Sequence, residues 1–364
     1  MNNNRVLVAM SGGLDSSVVA MLLHEQGYEV LGITMKVWDY DYLGDSAPES
    51  GCCNLDSIND ARTVAVTLGF PHHVLDLRKE FKDLVINDFV AEYMKGRTPN
   101  PCILCNTHMK WDALLQKADQ LGCQYIATGH YAQISNVNGR YILSKGVDEN
   151  KDQSYVLWGL SQEKLARTLF PLGGFEKPMI RQMAIQRGYD KIATKRESYD
   201  ICFIPDNDYR SFLKANVTNL DEIVGEGNFV NSSGKILGKH KGYPFYTIGQ
   251  RKGLVIAMGE PYYVIKIDAE TNTITLGPKH ELGGTHAFIK NCNFVKWTEI
   301  PKDFLATVKI RYKDKGSKAI VNQIGDYIDI EFLDEVTSIA PGQSAVIYDK
   351  EEVVAGGFIY TQMT

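Results

Sequence analysis

In the first half of the chain, apolar positions fall in short blocks separated by longer stretches with a helical period. Val6 to Met10, after Arg5, is an unbroken apolar run, the pattern of a buried strand. From Ser17 onward Val18, Val19, Met21, Leu22 and Leu23 suit a helix that Gly27 stops. Residues 29–35 read as a second strand and 56–68 as a helix with Ser57 and Asp60 at capping-box-like spacing. A third strand is expected at 73–77, helices at 79–94 and 111–121, and a fourth strand at 124–128. This βαβα rhythm predicts an α/β fold built on a doubly wound parallel sheet, whose ligands lie at the carboxyl ends of the strands. Ser11–Ser16, Met35 and Gly129-His130 all fall there.

After about residue 205 the texture changes. Residues 222–278 are glycine-rich with short strands, and from about 285 β-rich runs recur at 306–312, 327–332, 344–348 and 353–360. Evenly spaced short strands suggest a small antiparallel β-barrel. The expected division is a catalytic domain at 1–207, a small central β-rich linker domain at 208–280, and a C-terminal barrel at 281–364.

Composition narrows the class. The 364 residues are 44% hydrophobic and 23% charged, enough for an ordinary soluble core, and no apolar run is long enough to span a bilayer. The start of the chain does not read as a signal peptide, so a cytoplasmic location without membrane attachment is expected. Seven cysteines, an odd number in a long chain, do not make a secreted disulfide framework. A net charge of −5 does not advertise nucleic-acid binding, but a local basic face suffices for it.

Chemistry enters at Ser11-Gly12-Gly13-Leu14-Asp15-Ser16. Two glycines permit a sharp turn with inward N–H groups, Ser and Asp can cap the following helix, and the helix N-terminus adds positive partial charge. The result is a phosphate cradle. It lacks the Gly-Lys-Ser/Thr of a Walker A loop and is not G-x-G-x-x-G. It resembles the PP-loop of ATP pyrophosphatases, which split ATP between its α- and β-phosphates.

Three further stretches stand out. Pro99 and Pro101 bracket Asn100 and forbid a regular helix, so Cys102 and Cys105 are expected on a stiff loop. That C-x-x-C is compatible with redox chemistry, half a zinc site, part of an iron–sulfur site, or structural packing. Cys202 lies between Ile201 and Phe203, a context that also suits a small core residue. Lys151-Asp152-Gln153-Ser154-Tyr155 alone reads as a solvated loop. Cys52-Cys53 reads as local packing, Trp38–Tyr42 as an exposed acidic loop, and Cys123 and Cys292 as buried.

Together the PP-loop, Pro99–Asn106, Lys151–Tyr155, Asp200–Ile204, Ala127–Tyr131, Thr247–Gly253, Arg311-Tyr312 and Pro341–Ala345 resemble the tRNA-specific 2-thiouridylase family over nearly the whole chain. The resemblance implies ATP-dependent 2-thiolation of the wobble uridine of tRNA, those for Lys, Glu and Gln being expected substrates. ATP would contact Ala9, Met10, Ser11, Gly12, Gly13, Leu14, Asp15, Ser16, Met35 and Gly129, with Mg²⁺ accompanying the phosphates. The C2 oxygen would be adenylated, because a carbonyl oxygen leaves only once it can leave as AMP. Cys202 would carry sulfur as a persulfide from a cysteine desulfurase or a sulfur-relay protein, and Cys105 would be the nucleophile. Either Cys105 frees hydrosulfide and forms a disulfide with Cys202, or the persulfide's terminal sulfur attacks directly.

The resemblance also implies that tRNA meets Asn100, Pro101, Cys102, His130, Lys151, Asp152, Gln153, Arg311, Tyr312 and Gln343. Extruded bases need charge and stacking faces, which Arg and Tyr supply. Cys102 stands where some members carry aspartate, a candidate base for the uridine N3 proton, and a thiol with a pKa of about 8.5 is a poor substitute. An alternative places an iron–sulfur cluster on Cys102, Cys105 and Cys202. Two other classes compete: a PP-loop ligase acting on a small molecule, and a non-catalytic nucleotide sensor or sulfur carrier.

Overall fold

A computed structural model describes residues 4–38, 55–195, 201–204, 207–254, 256 and 259–360. Cys52-Cys53, residues 39–42 of the acidic loop, Ser198–Asp200 and Pro205 lie outside the described residues. The chain forms two compact units: one from Met1–Val85, Cys102–Asn207 and Glu351–Val353, the other from Ile86–Pro101, Asp208–Lys350 and Val354–Thr364.

The first unit holds strands β1 (Arg5–Ala9), β2 (Glu29–Lys36), β3 (His72–Asp76) and β4 (Tyr125–Ala127), the hairpin β5 (Ala132–Val137) and β6 (Arg140–Lys145), and β7 (Thr168–Leu169). Five of these form the expected parallel sheet in the order β3-β2-β1-β4-β7. The order reverses between β1 and β4, and at such a switch point the loops diverge and leave a crevice. Helices α1 (Leu14–Glu25) and α2 (Leu55–Leu68) cover Val6 and Val8 with Val18, Val19, Ala61 and Val64.

The 79–94 segment is not one helix. It runs as α3 (Arg78–Phe81), a π-helical turn (Lys82–Ile86) and α4 (Asn87–Met94), and the chain passes to the second unit at Ile86. The expected stiff loop around the thiols is instead helical: α5 (Pro101–Leu104), a π-helix (Cys105–Lys110) and α6 (Trp111–Gln120) follow without a break. Pro101 occupies the first helical position, where its missing N–H costs nothing. The unit also holds a 3-10 turn (Ser154–Val156) and the helices α7 (Gln162–Ala166), α8 (Lys177–Gln186) and α9 (Asp190–Ala193).

In the second unit β8 (Gly227–Val230), β9 (Ile236–His240), β10 (Tyr263–Asp268) and β11 (Thr273–Gly277) form a small sheet ordered β10-β11-β8-β9. The barrel follows: β12 (Gly283–Phe294), β13 (Phe304–Lys309), β14 (Ser317–Ile324), β15 (Tyr327–Thr337), β16 (Ser344–Asp349) and β17 (Glu352–Tyr360). Its ring runs β12-β15-β14-β13-β16-β17 and closes where β17 pairs antiparallel with β12, from Phe288 opposite Tyr360 to Phe294 opposite Ala355. Alternate residues, among them Ala306, Val308, Ala319, Val321, Ile328 and Ile330, fill its interior. Among the described residues no helix is long and apolar enough to cross a membrane.

Candidate functional site

The Ser11–Ser16 turn leaves β1 at the switch point. Its entry is pinned by the Met10 N–H, 2.8 Å from the Ile33 carbonyl, and by the Thr34 hydroxyl, which donates to the Met10 carbonyl at 2.7 Å. That use of the Thr34 proton leaves its oxygen to accept from His72 Nε2 at 2.9 Å. Burial, reinforced by the charges of Arg62 and His73, pushes the His72 pKa down to about 4, so the ring stays neutral.

Gly12 adopts a φ of +72°, and a Cβ there would lie 1.9 Å from the Ser57 carbonyl oxygen, so only glycine lets α2 approach this closely. Neither expected cap forms. Gly13 is the N-cap of α1 and has no side-chain cap, while the Ser17 hydroxyl donates back to the Gly13 carbonyl at 2.9 Å. The first-turn N–H groups of α1, orphaned by helix geometry, thus border the turn. The Ser57–Asp60 capping box is absent as well. Both side chains are buried, and Asp60 pairs with Lys191 at 3.0 Å and with Lys195, which also donates to the Gly12 carbonyl at 3.0 Å. Burial alone would raise the Asp60 pKa, but Lys195 and Lys191 outweigh it and hold the carboxyl below its ordinary value.

Asp15 faces a partner that the sequence patterns did not reveal. Lys177, at the start of α8 and 7% exposed, donates to both Asp15 carboxylate oxygens at 2.7 Å, and the Tyr131 hydroxyl donates to Oδ1 at 2.7 Å. Gly129 lies against the same turn: a Cβ there would sit 3.0 Å from the Asp15 Cβ and 3.1 Å from the Ser16 nitrogen. Met35 lies near the carboxyl end of β2, paired with Leu75.

Cys102, Cys105 and Cys202 are all thiols, Cys102 and Cys202 exposed and Cys105 buried. Cys105 opens the π-helix, a local widening common at functional sites. The next residue, Asn106, is 2% exposed and donates from Nδ2 to the Val156 carbonyl at 3.1 Å. Cys202 is placed by its neighbour. Phe203, 1% exposed, meets Phe81 edge-on at 5.4 Å and Trp38 at 6.3 Å, and α3, which carries Phe81, contacts the π-helix of Cys105. Enough protein surrounds the Cys102 thiol to raise its pKa despite the residue's exposed edge, with Lys110 opposing. At neutral pH it is a thiol and a weak base. Cys123 is buried as expected, whereas Cys292 is half-buried, with its thiol pushed up to about 12 by burial.

His130 packs between Trp111 and Phe170, with centroids at 5.5 and 6.1 Å, and shares a 2.8 Å hydrogen bond with Thr128. Burial, with Lys110 adding to it, pushes its pKa down to about 3, so it offers a neutral ring to any ligand. Asp152 turns inward: its Oδ1 accepts from the Ser154 N–H at 3.0 Å and its Oδ2 from the Ser154 hydroxyl at 3.1 Å. Gln153 Oε1 accepts from the Tyr131 N–H at 3.1 Å. Lys151 lines a groove of about 870 Å³ together with Asp148, Lys177 and Arg181.

In the second unit, Gln343 Nε2 donates to the Thr98 and Pro99 carbonyls, each at 3.0 Å, and the Thr98 N–H donates to the Pro341 carbonyl at 2.9 Å. The Pro341–Gln343 turn therefore braces the chain that leads into Asn100 and Pro101. The run expected at 306–312 ends as a strand at Lys309. Arg311 and Tyr312 are exposed in the β13–β14 turn, which Asp314 organises by accepting from the Ile310 and Gly316 N–H groups.

Among the described residues no three His, Cys, Asp or Glu side chains stand together as a metal-ligand set.

A parallel sheet bearing a glycine turn at its switch point defines the class, a nucleotide-binding HUP domain of the PP-loop type. Residues 4–206 match the family model described as tRNA methyl transferase HUP domain, 210–278 the tRNA methyl transferase PRC-barrel domain, and 285–359 the aminomethyltransferase beta-barrel domain. The tRNA-specific 2-thiouridylase MnmA of Amoebophilus asiaticus is 58% identical over 99% of this chain and 96% of its own length. The proteins of the same name from Cytophaga hutchinsonii and Salinibacter ruber are 54% and 56% identical over 98% of this chain and over 97% and 94% of theirs. The chain belongs to the tRNA-specific 2-thiouridylase family.

Proposed function

We propose that this protein uses ATP to replace the C2 oxygen of the wobble uridine of tRNA with sulfur. The observation that carries the reading is one unit holding both halves of the chemistry: a glycine phosphate cradle at the end of β1, and two thiols, Cys105 on the π-helix and Cys202 beside the Phe203 anchor. Thiolation accounts for both the cradle and the thiols, whereas the methyl transfer in the family model's description accounts for neither.

The triphosphate rests on Ala9–Ser16, where backbone N–H groups and the start of α1 stabilise charge developing on the leaving pyrophosphate. Mg²⁺ accompanying the nucleotide supplies further charge neutralisation. The uridine C2 oxygen attacks the α-phosphorus, pyrophosphate departs, and the base carries AMP. Cys202, exposed, takes sulfur from a desulfurase or relay protein. Cys105 attacks the Cys202 sulfur, the S–S bond of the persulfide breaks, and hydrosulfide leaves with the electron pair. Hydrosulfide then displaces AMP at C2. The product Cys105–Cys202 disulfide is opened by an external thiol reductant.

His130 offers a neutral stacking or hydrogen-bonding face, while Asn100, Pro101 and Cys102 line the approach of the base. Lys151, Gln153, Arg311, Tyr312 and Gln343 serve the RNA, with Asp152 and Gln343 acting through the backbone that they brace.

The test incubates purified protein with unmodified tRNA, ATP and a persulfide donor, and follows AMP and nucleoside mass. AMP formation that requires tRNA, with 2-thiouridine in the product, is expected. ATP consumption indifferent to tRNA would favour the small-molecule ligase, and absence of 2-thiouridine would refute the proposal.

A further inference from the structure

Two chains of contacts leave the 148–153 loop and meet on a single carboxylate. In the first, Asp148 Oδ2 accepts the N–H of Lys177 at 2.9 Å, and Lys177 Nζ reaches both oxygens of Asp15 at 2.7 Å. In the second, Gln153 exchanges two hydrogen bonds with Tyr131, from its N–H to the Tyr131 carbonyl at 2.9 Å and from the Tyr131 N–H to its Oε1 at 3.1 Å, and the Tyr131 hydroxyl donates to Asp15 at 2.7 Å. The arms also touch each other, with Lys177 Nζ 5.7 Å from the Tyr131 ring centroid. The loop between them is itself closed, because the Asp148 carbonyl accepts the N–H groups of Lys151 at 3.0 Å and Asp152 at 2.8 Å.

The arrangement has a charge logic. A bare carboxylate inside a phosphate cradle repels a polyanion, and a buried ammonium needs a partner. Lys177 meets both demands at Asp15. Its backbone belongs to the other end of the contact chain, at the groove that Lys151 and Arg181 line.

We propose that Lys177 is a positioning residue that, together with Tyr131, ties the 148–153 loop to Asp15, so that ATP is cleaved only with RNA seated on that loop. The inference rests on the tRNA-thiolation reading and adds to it the route by which RNA is sensed. Such a route requires coupling, which a double-mutant cycle measures.

The experiment measures pyrophosphate release by the full-length protein against tRNA concentration for wild type, Lys177→Met, Tyr131→Phe, the double variant and Lys177→Arg. Expected is a fall in kcat of about tenfold in Lys177→Met with an unchanged KM for tRNA, a smaller fall in Tyr131→Phe, and partial rescue by Lys177→Arg. The double variant should lose less than the product of the single losses. Tyr131→Phe removes one hydroxyl and carries the test if Lys177→Met does not fold. The proposal is overturned if both single variants stay within about twofold of wild type, or if their losses track weakened tRNA binding. A wild-type protein whose ATP turnover ignores tRNA would overturn the functional reading instead.

Discussion

Cys105 and Cys202 differ in exposure in the direction that their proposed tasks require. The residue that must meet a donor protein is exposed, and the one that must free hydrosulfide away from solvent is buried, 5% exposed. Cys105→Ala and Cys202→Ala should each reduce 2-thiouridine to background while leaving tRNA-dependent pyrophosphate release measurable. Only Cys202→Ala should also fail to accept radiolabelled sulfur from the donor. Histidines give a second prediction. His130, His72 and His240 have pKa values pushed by burial to about 3, 4 and 4, below the ordinary 6.5. Below pH 6.5 the unfolded chain binds protons that the native rings refuse, so stability is complete above that pH and is lost as pH falls toward 4. Urea titrations from pH 7.5 to about 5 should show this loss, with a shallower slope in His130→Asn.

At the scale of elements, the phosphate turn depends on the close approach of α2. Gly12→Ala forces a Cβ into the Ser57 carbonyl and strains a left-handed φ, at a cost of about 1–3 kcal/mol and with loss of nucleotide binding. Calorimetric titration with a non-hydrolysable ATP analogue, beside a melting curve, checks both effects. Asn106→Ala deletes the bond to Val156 and should lower stability by about 1–2 kcal/mol. Most of the parallel sheet was legible because apolar runs such as Val6–Met10 end in glycine turns, and buried strands announce themselves that way. The thiol-bearing helix was not legible. Two prolines argued for a loop, yet Pro101 took the one helical position that tolerates it. Asp15 and Asp60 did not cap because long-range partners, Lys177 and Lys195, claimed their carboxylates. Lys177 was out of reach altogether: its bond to Asp15 joins residues 162 apart, and nothing local to either signals the other.

For the molecule as a whole, the proposed RNA binding draws on Arg311 and Tyr312, which are exposed in the β13–β14 turn. Arg311→Ala should weaken tRNA binding and lower the slope of log affinity against log salt by about one contact, measured by filter binding. Tyr312→Ala should weaken binding with little change in that slope.

The barrel's ring is sealed by its final strand. Until residues 354–360 have emerged from the ribosome, β12 and β16 are each left with one edge that β17 has yet to cover. Nascent chains halted before that point would present adhesive borders to their neighbours. A translational pause in this region would therefore convert a sound gene product into aggregate, a liability written into strand order and not into any one side chain.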